Sequence, residues 1–357
     1  MQIDFHHATT YVIARAAGFD HDKAHIIAYA SQYVDDATSS GTVYFDNQAV
    51  YNRISSAHKM LDVRNTNQLA NHQVWMAFHF LPGNGGKKAG EDPDGTFINK
   101  IICTPNSPVA QDMVKETILQ KDRLYGLHRL GVTMHVYADT WAHQGFAGVL
   151  HAVNEVEDAV ETGNSEVFSG DIGDWLKTRV RDKLDDIIPP LGHGRANVFP
   201  DMPFLEWKYE NGQKEVIRRN NTDDFLNAAD HMCIAMQRYI DGNPDANVSG
   251  LDSSTKSKLN ELFVSITKEK GEDRHAEWLK AIRGGAFNFG AAPLEDYAPR
   301  GNDSWKAQAL GVSYDIPVHR YSSGFLSSDW KMFHDAIQAH RFHVVHDILP
   351  KYGICAA

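Results

Sequence analysis

The residues best suited to chemistry lie between Leu127 and Gly148, in LHRLGVTMHVYADTWAHQGFAG. His135, Asp139 and His143 stand four apart, and on an α-helix such positions share one face. Successive side chains are then separated by a rise of roughly 6 Å, too far for all three to close on one ion. The spacing suits a carboxylate shared between two metal ions with one histidine on each side. Leu127, Leu130, Val132, Met134, Val136 and Ala138 cover the other faces, which predicts a central, buried helix. Three ionisable groups on one buried stripe need a metal or a charge partner to offset their desolvation.

Further candidates lie elsewhere in the chain. Residues 5–37 read as a helical hairpin, with Gly18 as the stop and Asp20 as the cap of the second helix. Folding at Gly18-Phe19 brings His6 and His7 close to Asp35 and Asp36. His79 lies inside the apolar run VWMAFHFL, pointing to the interior or a cavity. His193 lies between two glycines, which let a loop approach closely and aim one side chain inward, and Asp201 follows Pro200.

Composition narrows the chemistry. The 357 residues carry a net charge of -11, against a general nucleic-acid or anionic-membrane binder and against a stable nucleic-acid complex. Three scattered cysteines against 19 histidines mean that any metal is held by imidazole and carboxylate. No run of 18 apolar residues exists, so no transmembrane segment is expected. MQIDFHHATT has neither the basic region nor the apolar core of a secretory signal. The cytoplasm is the default compartment, with export by a non-classical route left open.

The elements that must position these residues read as mainly helical. Helical patterns run over Tyr51–Leu61, Ser107–Asp122, His151–Thr162, Asn221–Ile240, Ser254–Lys268, Asp273–Ile282 and Ser327–Leu349. Thr42–Phe45 reads as extended, and Pro189-Pro190 break the chain. Asn211-Gly212 reads as a two-residue hairpin turn. The expectation is a single, mainly helical metal-binding domain over 1–357, all-α, with a β-hairpin inserted near 204–219. His334-Asp335 and His346-Asp347 are explained by an exposed amphipathic helix. As ligands they would instead indicate an HD-type phosphohydrolase.

The order His6/His7, Asp35/Asp36, His79, His135-x3-Asp139, His143, His193 resembles the zinc-dependent phospholipase C and P1 nuclease superfamily. The chain also resembles a bacterial and fungal family through FHH, SQYVDD, FHFLPG, HVYADTWAH and GHG…PD, at residues 5–7, 31–36, 78–83, 135–143 and 192–201. The resemblance covers about the first 210 residues. It implies an all-helical bundle of that superfamily's type holding two or three Zn²⁺. The implied ligands are His6, His7, Asp35, His79, His135, Asp139, His143, His193 and Asp201. It also implies attack of an acidified water on a phosphate ester, a phospholipid head group or a nucleotide, with Asp35 or Asp36 as general base.

Two departures stand out. The superfamily ligates metal through the α-amino group of a mature N-terminal residue, whereas here Met1-Gln2 resists Met removal and His6 lies several residues in. A different N-terminal ligation, and only two metals, is therefore expected. Asp139 to His143 is also four residues where the superfamily has six. His151-x3-Glu155 fits the last ligand pair by spacing, but His193 with Asp201 fits the family segments and is preferred. The alternative function is a non-catalytic, metal-stabilised binding or toxin-like protein on the same scaffold.

Overall fold

The computed structural model describes residues 1–58, 69, 72–163, 191–196 and 198–356. Asp4–Thr9 forms a π-helical turn that runs directly into α1 (Thr10–Ala17). The chain turns at Gly18, and Asp20 accepts from the Lys23 N–H at 2.9 Å to start α2 (His21–Asp36). β1 (Gly41–Tyr44) and β2 (Val50–Arg53) form a local antiparallel pair. After a helical segment at His72–Met76 come α3 (Ile98–Ile101), α4 (Pro108–Leu119, capped by Ser107) and α5 (Gly126–Ala142).

α5 is buried from His128 to Ala142 and packs on α2, α4, α6 (Asn221–Asp241) and α10 (Asp329–Phe342). Gly131 permits the close approach of α5 to α2. A Cβ there would meet the Ile27 carbonyl oxygen at 2.5 Å and the Ala30 Cβ at 2.7 Å, distances no real side chain tolerates. α5 and α2 can therefore bring Asp35, His135 and Asp139 to one place. α7 (Ser253–Ser265), α8 (Gly271–Arg283) and α9 (Trp305–Leu310) complete the helices.

The all-α expectation is corrected. The protein is mixed α/β, about 52% helix and 10% strand, with one sheet of two strands and one of three among the described residues. The difference arises mainly at His151–Thr162. Its Ala and Glu content suits a helix, yet Val156–Glu161 is strand β3. Pairing with β4 (Glu206–Asn211) overrides propensity. A bulge at Asp158 (φ 46°) turns Ala159 into a second core with Phe146, Phe199 and Trp207.

The hairpin near 204–219 is therefore part of a larger sheet, ordered β3-β4-β5, with β5 at Val216–Asn220. Its turn is longer than two residues. Lys214 takes the left-handed conformation (φ 63°), and the Asn211 side chain accepts from the Gln213 and Glu215 N–H groups. Tyr51–Arg53 is likewise strand rather than helix. The end of that expected helix, and the break at Pro189-Pro190, lie outside the described residues.

Candidate metal centre

The structure brings His6, Asp35, His79, His135, Asp139, His143, His193 and Asp201 together at one end of α5. Three groups form: His6/Asp35/His135, His79/His135/Asp139 and His143/His193/Asp201. Within each group the nitrogen and oxygen donors lie within 4.8 Å of one another. His135 belongs to two of the groups, so the first and second share an imidazole.

Asp139 is the hub. Its Oδ2 lies 3.3 Å from His135 Nε2 and 3.5 Å from His79 Nδ1. Its Oδ1 lies 3.2 Å from His6 Nε2 and 2.6 Å from the α-amino nitrogen of Met1. The same amine is 3.2 Å from Asp201 Oδ1. Sequence reasoning missed this group, because no residue type signals where a backbone amine goes. The amine lies inside the cluster as the cation paired with Asp139 and Asp201.

His143 leaves the helical path of His135 and Asp139. That residue ends α5 with φ -94° and ψ 12°, outside helical geometry. Its Nδ1–H donates to the His79 carbonyl at 2.7 Å, leaving Nε2 to face Asp201 Oδ1 at 3.7 Å. Asp139 Oδ2 does lie between His135 Nε2, at 3.3 Å, and His143 Nδ1, at 3.5 Å, as the spacing predicts, but that His143 nitrogen is engaged by the His79 carbonyl, and Oδ1 turns to Met1 and His6.

Neighbouring groups fix these donors. His79 Nε2 donates to the Ser56 carbonyl at 2.9 Å, which turns the Nδ1 lone pair to the cluster. Arg219 donates to the Trp141 and Ala142 carbonyls, closing the C-terminus of α5 just before His143. His193 is aimed by Gly192 (φ 53°), where a Cβ would meet the Phe80 ring at 2.2 Å. Phe80 in turn stacks on His143, their centroids 4.6 Å apart. Arg274, from the half of the chain where no role was legible, is fully buried. It holds the N-terminal segment by donating to Asp4 at 2.6 Å and to Gln2 Oε1 at 2.9 Å.

Electrostatics set these groups apart from an ordinary core. Burial, with neighbouring cations adding to it, lowers His6, His135 and His143 to about 4, so each imidazole is neutral and presents a lone pair at neutral pH. Burial pushes Asp139 and Asp201 up, but His143, His193 and the Met1 ammonium outweigh it and hold both below the usual carboxylate range. Burial also pulls the Met1 amine down. Asp139 and Asp201 outweigh that and hold it at about 11. Asp35 is raised to about 6 by burial.

The donor set fits first-row divalent cations. Imidazole and carboxylate are their ligands, and thiolate is missing from the cluster. Both His6 nitrogens, Asp139 Oδ2 and Asp201 Oδ1 are buried without a hydrogen-bond partner. Orphaned polar atoms of this kind call for a cation or water to satisfy them. One side of the centre is open: a cleft of about 460 Å³ is lined by Met1, Gln32, Asp35, Lys270 and Glu272, among others.

Two expected residues fall elsewhere. His7 points away from the cluster, its Nδ1 2.9 Å from His275 Nε2, because adjacent residues of one helical turn diverge by about 100°. Asp36 diverges from Asp35 for the same reason and accepts from the Tyr297 hydroxyl at 2.7 Å. His151 is exposed and its Nδ1 accepts from the Val153 N–H. Asp335 accepts from Tyr51 and Lys331, and neither His-Asp doublet joins the three groups among the described residues. Tyr137 and Trp141 are buried, and donate to Asn106 Oδ1 at 2.7 Å and Asn227 Oδ1 at 3.1 Å.

Among the described residues no helix is long and apolar enough to cross a membrane. No curated protein and no solved structure matches the chain. One family matches it over residues 1–348, and the chain belongs to that family: DUF6765, a family of unknown function.

Proposed function

We propose that this chain is a zinc-dependent phosphoesterase working at a centre of two or three ions, of the kind its motif order suggests. The observation that carries the reading is the junction of three neighbouring His/Asp groups, two of which share His135, with a cleft that reaches Met1 and Asp35. Zinc bound there would supply a Lewis acid for a phosphoryl oxygen and an acidified water at neutral pH.

The chain's own residues have distinct tasks. Asp139 keeps its charge and holds the two sides of the centre in register. His79 and His143, each locked through its second ring nitrogen, offer one fixed lone pair apiece. Asp35 is the carboxyl that reaches the cleft, with a third of its side chain exposed. It is the candidate to take a proton from the attacking water, a task that favours a pKa near the working pH. Asp36, engaged by Tyr297, is not placed for it.

The test uses the full chain, stripped of metal and reloaded with zinc, against bis-p-nitrophenyl phosphate and p-nitrophenyl phosphate. Hydrolysis that depends on zinc and is lost in Asp35→Asn supports the reading. Stoichiometric zinc without hydrolysis of either ester, or of phospholipid and dinucleotide substrates, would favour the metal-stabilised binding protein instead.

A further inference from the structure

Asp35 faces the metal centre with one oxygen and Gln32 with the other. Its Oδ1 lies 3.8 Å from both His79 Nδ1 and His135 Nε2. Its Oδ2 accepts from Gln32 Nε2 at 3.3 Å. A third of the Asp35 side chain is exposed. A carboxylate that can reach water gains hydration by turning to it, so a contact has to hold it inward.

Helix geometry places Gln32 for that task. On α2 it precedes Asp35 by three residues and Asp36 by four, so in projection it stands between the two carboxylates. Its Nε2 carries two hydrogens and donates to Asp35 Oδ2 and, at 3.4 Å, to Asp36 Oδ2. An amide answers both carboxylates and still leaves Asp35 its full charge for a cation at Oδ1, which an ammonium in its place would not. Both bonds are long for N–H···O contacts, so Gln32 can orient Asp35 only as far as Asp36 is itself held.

Asp36 is held from the far half of the chain. Its Oδ2 accepts from the Tyr297 hydroxyl at 2.7 Å. Tyr297 lies in the irregular stretch after α8, and Tyr29 of α2 fixes it there. The two rings pack with centroids 4.7 Å apart, and the Tyr29 hydroxyl donates to the Ala298 carbonyl at 2.6 Å. A continuous series of contacts thus runs from Tyr297 through Asp36 and Gln32 to Asp35.

We infer that Gln32 is a positioning residue: it holds Asp35 Oδ2 so that Oδ1 is presented to a cation in the His6/Asp35/His135 group, and Tyr297 secures it through Asp36. The inference rests on the metal centre of the proposed function and not on which ester is hydrolysed.

The test titrates zinc into the metal-free full chain against a chromophoric chelator and follows the affinity of each ion bound. Asp35→Ala marks the ion that depends on Asp35. Gln32→Met, of similar length but without donors, should weaken that same ion about 10-fold, the lower end of what losing a ligand's neighbour costs. In the Asp35→Ala chain the same substitution should change zinc affinity by less than about 2-fold, a dependence that a general loss of packing would not reproduce. Tyr297→Phe removes only the hydroxyl and should weaken the same ion about 3-fold. This variant decides if Gln32→Met does not fold. Zinc affinities unchanged by these substitutions, or a loss that persists without Asp35, overturn the inference and leave the metal centre standing. If zinc behaves as expected and no phosphate ester is cleaved, the inference holds and the proposed reaction fails. A wild-type chain that binds no zinc overturns both.

Discussion

Replacing Asp139 by Asn changes one oxygen to an NH₂ and removes the charge on which the centre turns. The carboxylate is 1% exposed and lies 2.6 Å from the Met1 ammonium. At an effective dielectric constant of ~20, attraction at that distance is ~6 kcal/mol before desolvation is counted. Breaking buried pairs costs about 3–5 kcal/mol. Asp201, 3.2 Å from the same amine, retains part of the attraction, so about 3 kcal/mol is expected for the metal-free protein. Unfolding entropy of ~2.1 cal/mol/K per residue converts this to a fall of ~4 °C in Tm for a chain this long. The metal-binding effect is larger. Asp139 faces His6, His79 and His135 as well as the amine, and zinc affinity should fall by more than the ~100-fold typical of outer-shell changes. The assays are calorimetric melting of the stripped protein and elemental analysis after dialysis against a weak chelator. His151→Ala is the control: its side chain is exposed, and its zinc content should match wild type. An Asp139→Asn variant with full zinc content, or a His151→Ala variant that loses zinc, would refute the reasoning.

Three further predictions follow from the same geometry. His6, His135, His143 and His275 are lowered to about 4 and His334 to about 3, chiefly by burial. Their contribution to stability is complete above the unfolded value of 6.5 and is lost as pH falls through about 4. Asp35, raised to about 6, acts the other way over the same interval but is one group against five. The metal-free protein should therefore lose stability from pH 6.5 to 4, taking up about four protons on unfolding near pH 5; denaturant midpoints that stay flat would contradict this. Arg274→Met leaves Asp4 buried without its partner and should cost about 3–5 kcal/mol in urea unfolding. A change below about 1 kcal/mol would show that the arginine does not hold the N-terminal segment. A chain with a glycine placed before Met1 moves the ammonium by roughly 3.8 Å away from Asp139 and Asp201 and should lower the Tm of the metal-free protein; an unchanged Tm would show that the amine does not hold the two carboxylates.

Much of the site was legible because its parts are local patterns. The four-residue spacing on α5 and the equal arms of the α1–α2 hairpin each bring donors together by helix geometry alone. The glycine before His193 and the proline before Asp201 mark loops that approach closely. What the pattern misjudged has physical causes. Adjacent residues such as His6 and His7, or Asp35 and Asp36, look equivalent in a sequence and diverge on a helix. His143 was read as helical, whereas the helix ends there and the ring turns to Asp201. The amine of Met1 carries no residue-type signal, and Arg274 acts across 270 positions of separation from Asp4. Strand β3 was hidden because its helical propensity is overruled by pairing with β4, some 50 residues on.

The central claim is that the His/Asp cluster at the end of α5 is a zinc centre. The most direct measurement is anomalous X-ray scattering at the zinc edge from crystals of the zinc-loaded full chain. Two or three peaks are expected, each within about 2.0–2.2 Å of imidazole and carboxylate donors drawn from His6, Asp35, His79, His135, Asp139, His143, His193 and Asp201. A map with no peak in this cluster, or with zinc only at surface histidines, would contradict the account.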